Sequence, residues 1–196
     1  LIDDPDLGIL IKSKKKMICD SIHEHGMGGL VQQAIDSGRL FVMDHTASPV
    51  DAALLSDFSV SVTAISPLAA AALEGAKVLY LDYEKLDQGP LKPYNVLHSL
   101  GPKRCVFYDP ESLKEAVLEY VDNPETNPCL GDASPILDRI DPFRDGKASQ
   151  RIGDFMTWYL EGIDRRVSNE EAIQVATEKY AGKWGDDKVI SGNIGW

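Results

Sequence analysis

Three cysteines, Cys19, Cys105 and Cys129, are too few and too far apart for a disulfide framework, and none stands at the spacing of a zinc knuckle. Buried, reduced thiols are the expectation. Long apolar runs are absent as well. Nothing approaches the roughly 20 residues a helix needs to cross a bilayer, and the opening Leu1-Ile2-Asp3-Asp4 lacks the basic segment and apolar stretch of a signal peptide. This predicts a cytoplasmic protein without a transmembrane segment. Positive charge is scarce: 20 Lys and Arg stand against 31 Asp and Glu, a formal net charge of -11. Such a surface repels a phosphate backbone, so no nucleic-acid partner is expected. No repeat or low-complexity segment occurs, and no Ser-His-Asp order, paired-carboxylate spacing or metal cluster stands out. An initiating methionine is missing too, and the chain opens just before a strand-like run, so the expectation is that an upstream segment has been removed.

What is present reads as a globular chain, 43% hydrophobic and 26% charged over 196 residues, enough to bury one sizeable core. Apolar, β-branched-rich runs at Leu7–Ile11, Leu40–Met43, Phe58–Val62, Val78–Leu81 and Cys105–Tyr108 are separated by helical patterns. Nearly continuous apolar strands joined by helices are the pattern of a parallel sheet covered on both faces. The expected fold is therefore α/β, a three-layer Rossmann-like parallel sheet of about five strands with extra C-terminal helices. The expected boundaries are a nucleotide-binding domain over 1–130 and a helical extension over 131–196. In that extension Ile152, Phe155, Met156, Tyr159 and Leu160 follow the helical rule, and a second helix starts at Ser168 with Glu171 completing a capping box and Ile173, Ala176 and Tyr180 on its apolar side.

Four helix starts are signalled by a capping side chain followed by proline: Ser48-Pro49, Ser66-Pro67, Asp109-Pro110 and Ser134-Pro135. In an open parallel sheet such turns lie at the carboxyl ends of strands, where ligands bind. After Ser66 the run Leu68-Ala69-Ala70-Ala71-Ala72-Leu73 lets the helix sit close to the sheet, and its free N–H groups and positive dipole end suit a diphosphate. Lys12, Lys14, Lys15 and Lys16 form the one dense basic cluster, with Lys12 best placed for phosphate at the end of the first strand. His45, in the loop after the second strand, faces the same expected crevice, and Asp82 and Tyr83 open the long loop that runs to Lys103. His23 and His25 fit no zinc spacing, and their neighbouring glycines form no phosphate-loop fingerprint.

The stretch Ala53-Leu54-Leu55-Ser56-Asp57-Phe58-Ser59-Val60, followed by Ser66 to Asp82, resembles the donor-binding segment in the C-terminal domain of GT-B type glycosyltransferases, including enzymes of bacterial surface-carbohydrate biosynthesis. The opening Gly8-Ile9-Leu10-Ile11-Lys12-Ser13-Lys14 resembles that family's first strand, and Phe143 to Phe155 resembles the closing helix of its surface-polysaccharide group. The resemblance covers most of the chain in order. It implies a nucleotide-sugar bound with its diphosphate on the amides of Ser66, Leu68 and Ala69, Pro67 supplying no N–H. It implies metal-independent transfer to a carbohydrate acceptor without a further cofactor, and a catalytic partner half, the N-terminal domain, that supplies the general base. The family's ribose-gripping carboxylate falls on Ala70 here, which leaves Glu74, one turn further on, as its substitute. Taken alone, this chain is expected to bind nucleotide weakly and to turn over nothing. A UDP-sugar epimerase of the same architecture and a non-catalytic nucleotide-binding module are the alternatives.

Overall fold

A computed structural model of the chain describes residues 6–14, 24–62, 65–86, 89 and 95–189. It divides into two compact units, Leu1–Ile140 and Asp141–Trp196. Among the described residues no helix is long and apolar enough to cross a membrane.

The first unit is α/β. In chain order it contains β1 (Ile9–Lys12), α1 (Gly28–Asp36), β2 (Leu40–Met43), α2 (Pro49–Leu54), β3 (Phe58–Ser61), α3 (Ile65–Leu73), β4 (Lys77–Leu81), a 3-10 turn (Val96–Leu100), β5 (Val106–Phe107), α4 (Pro110–Asp122), a 3-10 turn (Ser134–Ile136) and α5 (Leu137–Ile140). Each apolar run read as a strand forms one, but the ladders arrange them as two small parallel sheets where one was expected. β1 pairs with β2, Ile9 opposite Leu40, while β4 lies between β3 and β5, with Val60 opposite Leu79 and Tyr80 opposite Val106. The strands span only two to five residues each, so few hydrogen bonds tie neighbours together.

The core is built on β4. Val78, Leu79 and Tyr80 have no exposed surface, as expected of a strand covered on both faces. Alternation sends Val78 and Tyr80 into a cluster with Leu68, Ala71 and Ala72 of α3, Leu97 and Ile136. Leu79 faces the other way, into a cluster with Phe107 and Leu130 flanked by Leu113, Val117 and Tyr120. At about 1.5–3 kcal/mol for each large apolar side chain withdrawn from water, these two clusters dominate the unit's stability.

Two of the four expected caps form as read: Ser48 Oγ accepts from Val50 N–H at 3.1 Å and Asp109 Oδ1 from Ser112 N–H at 2.7 Å. The other two need correction. α3 already begins at Ile65, so Ser66 lies inside its first turn and does not precede it. At Ser134-Pro135 the residue before the turn is Ala133, and Ser134 N–H donates to Asp132 Oδ1 at 2.9 Å, because an aspartate two residues upstream offers the stronger acceptor.

The second unit is a hairpin of α6 (Ala148–Asp164) and α7 (Asn169–Trp184). Ser168 caps α7 as expected, accepting from Glu171 N–H at 3.2 Å. The helices meet at small residues: a Cβ on Gly162 would stand 2.8 Å from Ala172 Cβ, and Ala172 and Ala176 have no exposed surface. This contact turns the expected faces. Phe155 packs its ring edge-on to Tyr180, and Tyr159 donates to Asn169, whereas Ile152, Met156, Leu160 and Ile173 are exposed. Arg151 is buried, its guanidinium 3.4 Å from the Phe143 ring centroid and 4.7 Å from that of Trp184, with Nη2 donating to Asp145.

Gly131 sits in the left-handed region, φ 74, and its carbonyl accepts from Val78 N–H at 2.8 Å. A Cβ there would lie 2.8 Å from Lys77 Cβ. Gly131→Ala therefore combines backbone strain with overpacking and is expected to destabilise the first unit by about 2–4 kcal/mol, measured by urea unfolding. The buried Cys105 thiol is pushed up to about 11 by burial, while Cys129 is exposed. Iodoacetamide at pH 8 should accordingly alkylate Cys129 in the folded chain and reach Cys105 only after denaturant is added, as read by peptide mass spectrometry.

Candidate active site at the carboxyl edge of the central strand

β4 ends at Leu81 and delivers Asp82 to the carboxyl edge of the three-stranded sheet, on the face already taken by Val78 and Tyr80. The Asp82 carboxylate is buried, 1% of the residue being exposed. Its Oδ1 accepts from Leu86 N–H at 2.9 Å, its Oδ2 from His98 Nε2 at 3.0 Å, and the Asp82 amide donates to Phe107 O at 2.7 Å. One carboxylate thus ties both the start and the end of the loop after β4 to the strand that precedes it. Asn95, also buried, caps the Val96–Leu100 turn by accepting from Leu97 N–H at 3.2 Å, and this turn carries His98.

Bonding to a carboxylate places a proton on Nε2, which also lies 3.4 Å from Asn95 Nδ2, and in the tautomer with that single ring proton Nδ1 is an acceptor. Among the described residues Nδ1 has no partner, and neither does the hydroxyl of Tyr80, whose ring stands edge-on to the imidazole at 6.1 Å. Burial, with the charges of Asp82 and Glu84 behind it, holds the Tyr80 phenol above its ordinary range, so it stays protonated and can donate. Two buried polar atoms without protein partners cost about 1–3 kcal/mol each. A carboxylate–imidazole pair placed beside them is the kind of arrangement that stability alone would replace with apolar packing.

The other residues expected at a site fall in three places. Lys12 and His45 come together at the end of the two-stranded sheet, where the β1–β2 register sets Lys12 opposite Met43. Lys12 Nζ donates to Ser13 O at 2.7 Å and His45 O at 3.0 Å. The His45 ring is exposed, 3.5 Å from Asp44, whose own carboxyl is held low by bonds from the Thr46 hydroxyl and amide. Ser66, Pro67, Leu68 and Ala69 occupy the opening turns of α3 beyond the carboxyl end of β3. Since α3 starts at Ile65, the Ala69 N–H enters its own i→i−4 ladder, and Leu68 is committed to the core at 1% exposure. The amides free of that ladder belong to Ile65 and Ser66. Glu74 follows the last residue of α3 and lies near the start of β4, so the roughly 12 Å length of the helix separates it from those amides. It is not brought to the carboxyl edge. Asp82 reaches that edge, but its carboxylate is taken by His98 and Leu86. Lys15, Lys16 and His23 lie outside the described residues, and His25 is exposed ahead of α1.

Sequence reasoning passed over His98, Tyr80 and Asn95. The available signal was an asparagine able to cap a short turn three residues before a histidine, in a loop that leaves a buried strand through an aspartate. Among the described residues no group of three or more His, Cys, Asp or Glu side chains is placed to hold a metal ion.

Removing the carboxylate should leave His98 buried without its partner. Asp82→Ala is expected to cost about 1–3 kcal/mol in urea unfolding, the penalty of a buried donor left unpaired, and Asp82→Asn less, because its side-chain oxygen can still accept from Leu86 N–H. Compared with known proteins, the chain matches no family model, no curated protein and no solved structure.

Proposed function

We propose that this chain is the donor-binding half of a glycosyltransferase of GT-B type, holding a nucleotide-sugar at the carboxyl edge of a Rossmann-like sheet. The observation that carries the reading is the parallel β3–α3–β4 unit, in which a helix rich in small residues opens at the carboxyl end of β3 and packs Ala71 and Ala72 into the core. That is the geometry in which helix-end amides receive a diphosphate.

The reading includes a strand order of β2-β1-β3-β4-β5. Its support is α2, which packs against both β1 and β3 as a connection returning from β2 across β1 to β3 would do. Right-handed crossovers then put α1 and α3 on opposite faces, and the chain changes direction between β1 and β3, where a crevice opens. Lys12 and the amides of Ile65 and Ser66 flank that crevice, with His45 beside Lys12. As the nucleoside diphosphate departs, negative charge builds on it, and these donors stabilise the charge without rearranging. The acceptor carbohydrate and the general base belong to the partner half that the resemblance implies.

A non-catalytic nucleotide-binding module is the second reading. It is favoured by Ala70 at the family's carboxylate position and by the place of Glu74 at the far end of α3.

Calorimetric titration with UDP, GDP, CDP and ADP tests the proposal. One of them should bind with a Kd of about 0.1–1 mM. Ser66→Trp should abolish the heat, and Lys12→Ala should weaken binding about 10-fold, the equivalent of roughly 1.4 kcal/mol. Absence of binding by all four nucleotides at millimolar concentration would overturn it.

A further inference from the structure

We propose that Tyr80 Oη and His98 Nδ1 grip the ribose hydroxyls of the bound nucleotide, with Asp82 as the positioning residue that fixes the tautomer of His98. The inference rests on the nucleotide reading above and adds to it the part of the ligand that is read and the groups that read it.

Three observations converge. The first is place: Tyr80 and Leu97, next to His98, share one packed cluster with Leu68, Ala71 and Ala72, so the pair lies on the α3 face of β4, under the helix whose start would receive the diphosphate. The second is chemistry. With Nε2–H given to Asp82, His98 offers an acceptor, and the protonated Tyr80 phenol offers a donor. The pairing of an acceptor with a donor, on rings whose centroids lie 6.1 Å apart, matches hydroxyl groups, each of which gives one hydrogen bond and takes another. It does not match a phosphate, which only accepts, nor an ammonium, which only donates. The third is that both atoms are buried and without partners among the described residues, His98 with 8% of its side chain exposed and Tyr80 with none of its surface exposed.

Ligand entry requires the Val96–Leu100 turn to move, since it carries His98 over Tyr80. The turn is held there by the packing of buried Leu97 into the core and, among the described residues, by the bonds of His98 to Asp82 and of Arg139 Nη1 to Ser99 Oγ at 2.9 Å.

The test compares wild type, Tyr80→Phe and His98→Gln in calorimetric titrations with whichever nucleoside diphosphate binds wild type and with its 2′,3′-dideoxy analogue, alongside thermal melts without ligand. Wild type should prefer the ribonucleotide about 5-fold over the dideoxy analogue, the worth of one or two hydrogen bonds. Tyr80→Phe should lose that preference while its ligand-free Tm stays level or rises, because the hydroxyl it deletes has no protein partner. His98→Gln, which keeps a donor for Asp82 but offers no acceptor in place of Nδ1, should lose the preference as well. The proposal is overturned if Tyr80→Phe discriminates as wild type does, or if its ligand-free Tm drops by several degrees, which would assign the hydroxyl to the fold through an internal water. Should Tyr80→Phe not fold, the discrimination shown by His98→Gln decides alone. Failure of the nucleotide reading itself has a separate signature, wild type binding no nucleotide at all, and the inference then falls with it.

Discussion

The first unit depends on the complete burial of β4. A strand with no solvent on either face must be apolar on both, must have a paired neighbour on each side, and must be roofed by a helix above and below. Val78, Leu79 and Tyr80 meet the first condition, the ladders to β3 and β5 the second, and α3 and α4 the third. Gly131 closes the amino end of the strand by accepting from Val78 N–H, in a conformation and at an approach that a side chain would disturb. The same burial has a consequence at the other end. Whatever polar group the chain places just after β4 enters a region already closed to water and must find partners inside the protein.

Asp82 is that group, and it organises what surrounds it. Its two oxygens take one donor from each end of the loop, which pulls the Val96–Leu100 turn down over the sheet and sets His98 against Tyr80. The arrangement satisfies the carboxylate and leaves Tyr80 Oη and His98 Nδ1 without partners among the described residues. A fold under selection for stability alone has little reason to keep two such atoms beneath the carboxyl edge of a parallel sheet, the region where α/β proteins bind ligands.

The second unit rests on a different constraint, close approach between helices. Gly162 lets the α7 backbone come within contact of α6, and the buried Arg151 is held between two aromatic rings with one carboxylate partner. The approach fixes which side of each helix is inside. Ile152, Met156 and Leu160 consequently form an exposed apolar stripe along α6.

Local features were legible in the residues. The strand runs at Leu40–Met43 and Phe58–Val62 match β2 and β3 to within a residue, and Ser48, Asp109 and Ser168 cap their helices, because capping and strand propensity are decided by neighbours in sequence. The placement of Lys12 near His45 followed as well, since parallel pairing of two short strands sets their carboxyl ends side by side. Tertiary structure decided the rest. Helical periodicity put Ile152, Met156 and Leu160 on the packed face of α6, and the contact of Gly162 with Ala172 leaves them exposed. The bond between Asp82 and His98 spans 16 positions of chain and exists only because the loop folds back onto the end of β4. Sequence by itself determined the order of helices and strands and the starts of α2, α4 and α7, through hydrogen bonds and steric preferences between near neighbours. Which polar atoms share a buried space was settled only by packing, because that depends on groups far apart in the chain arriving together.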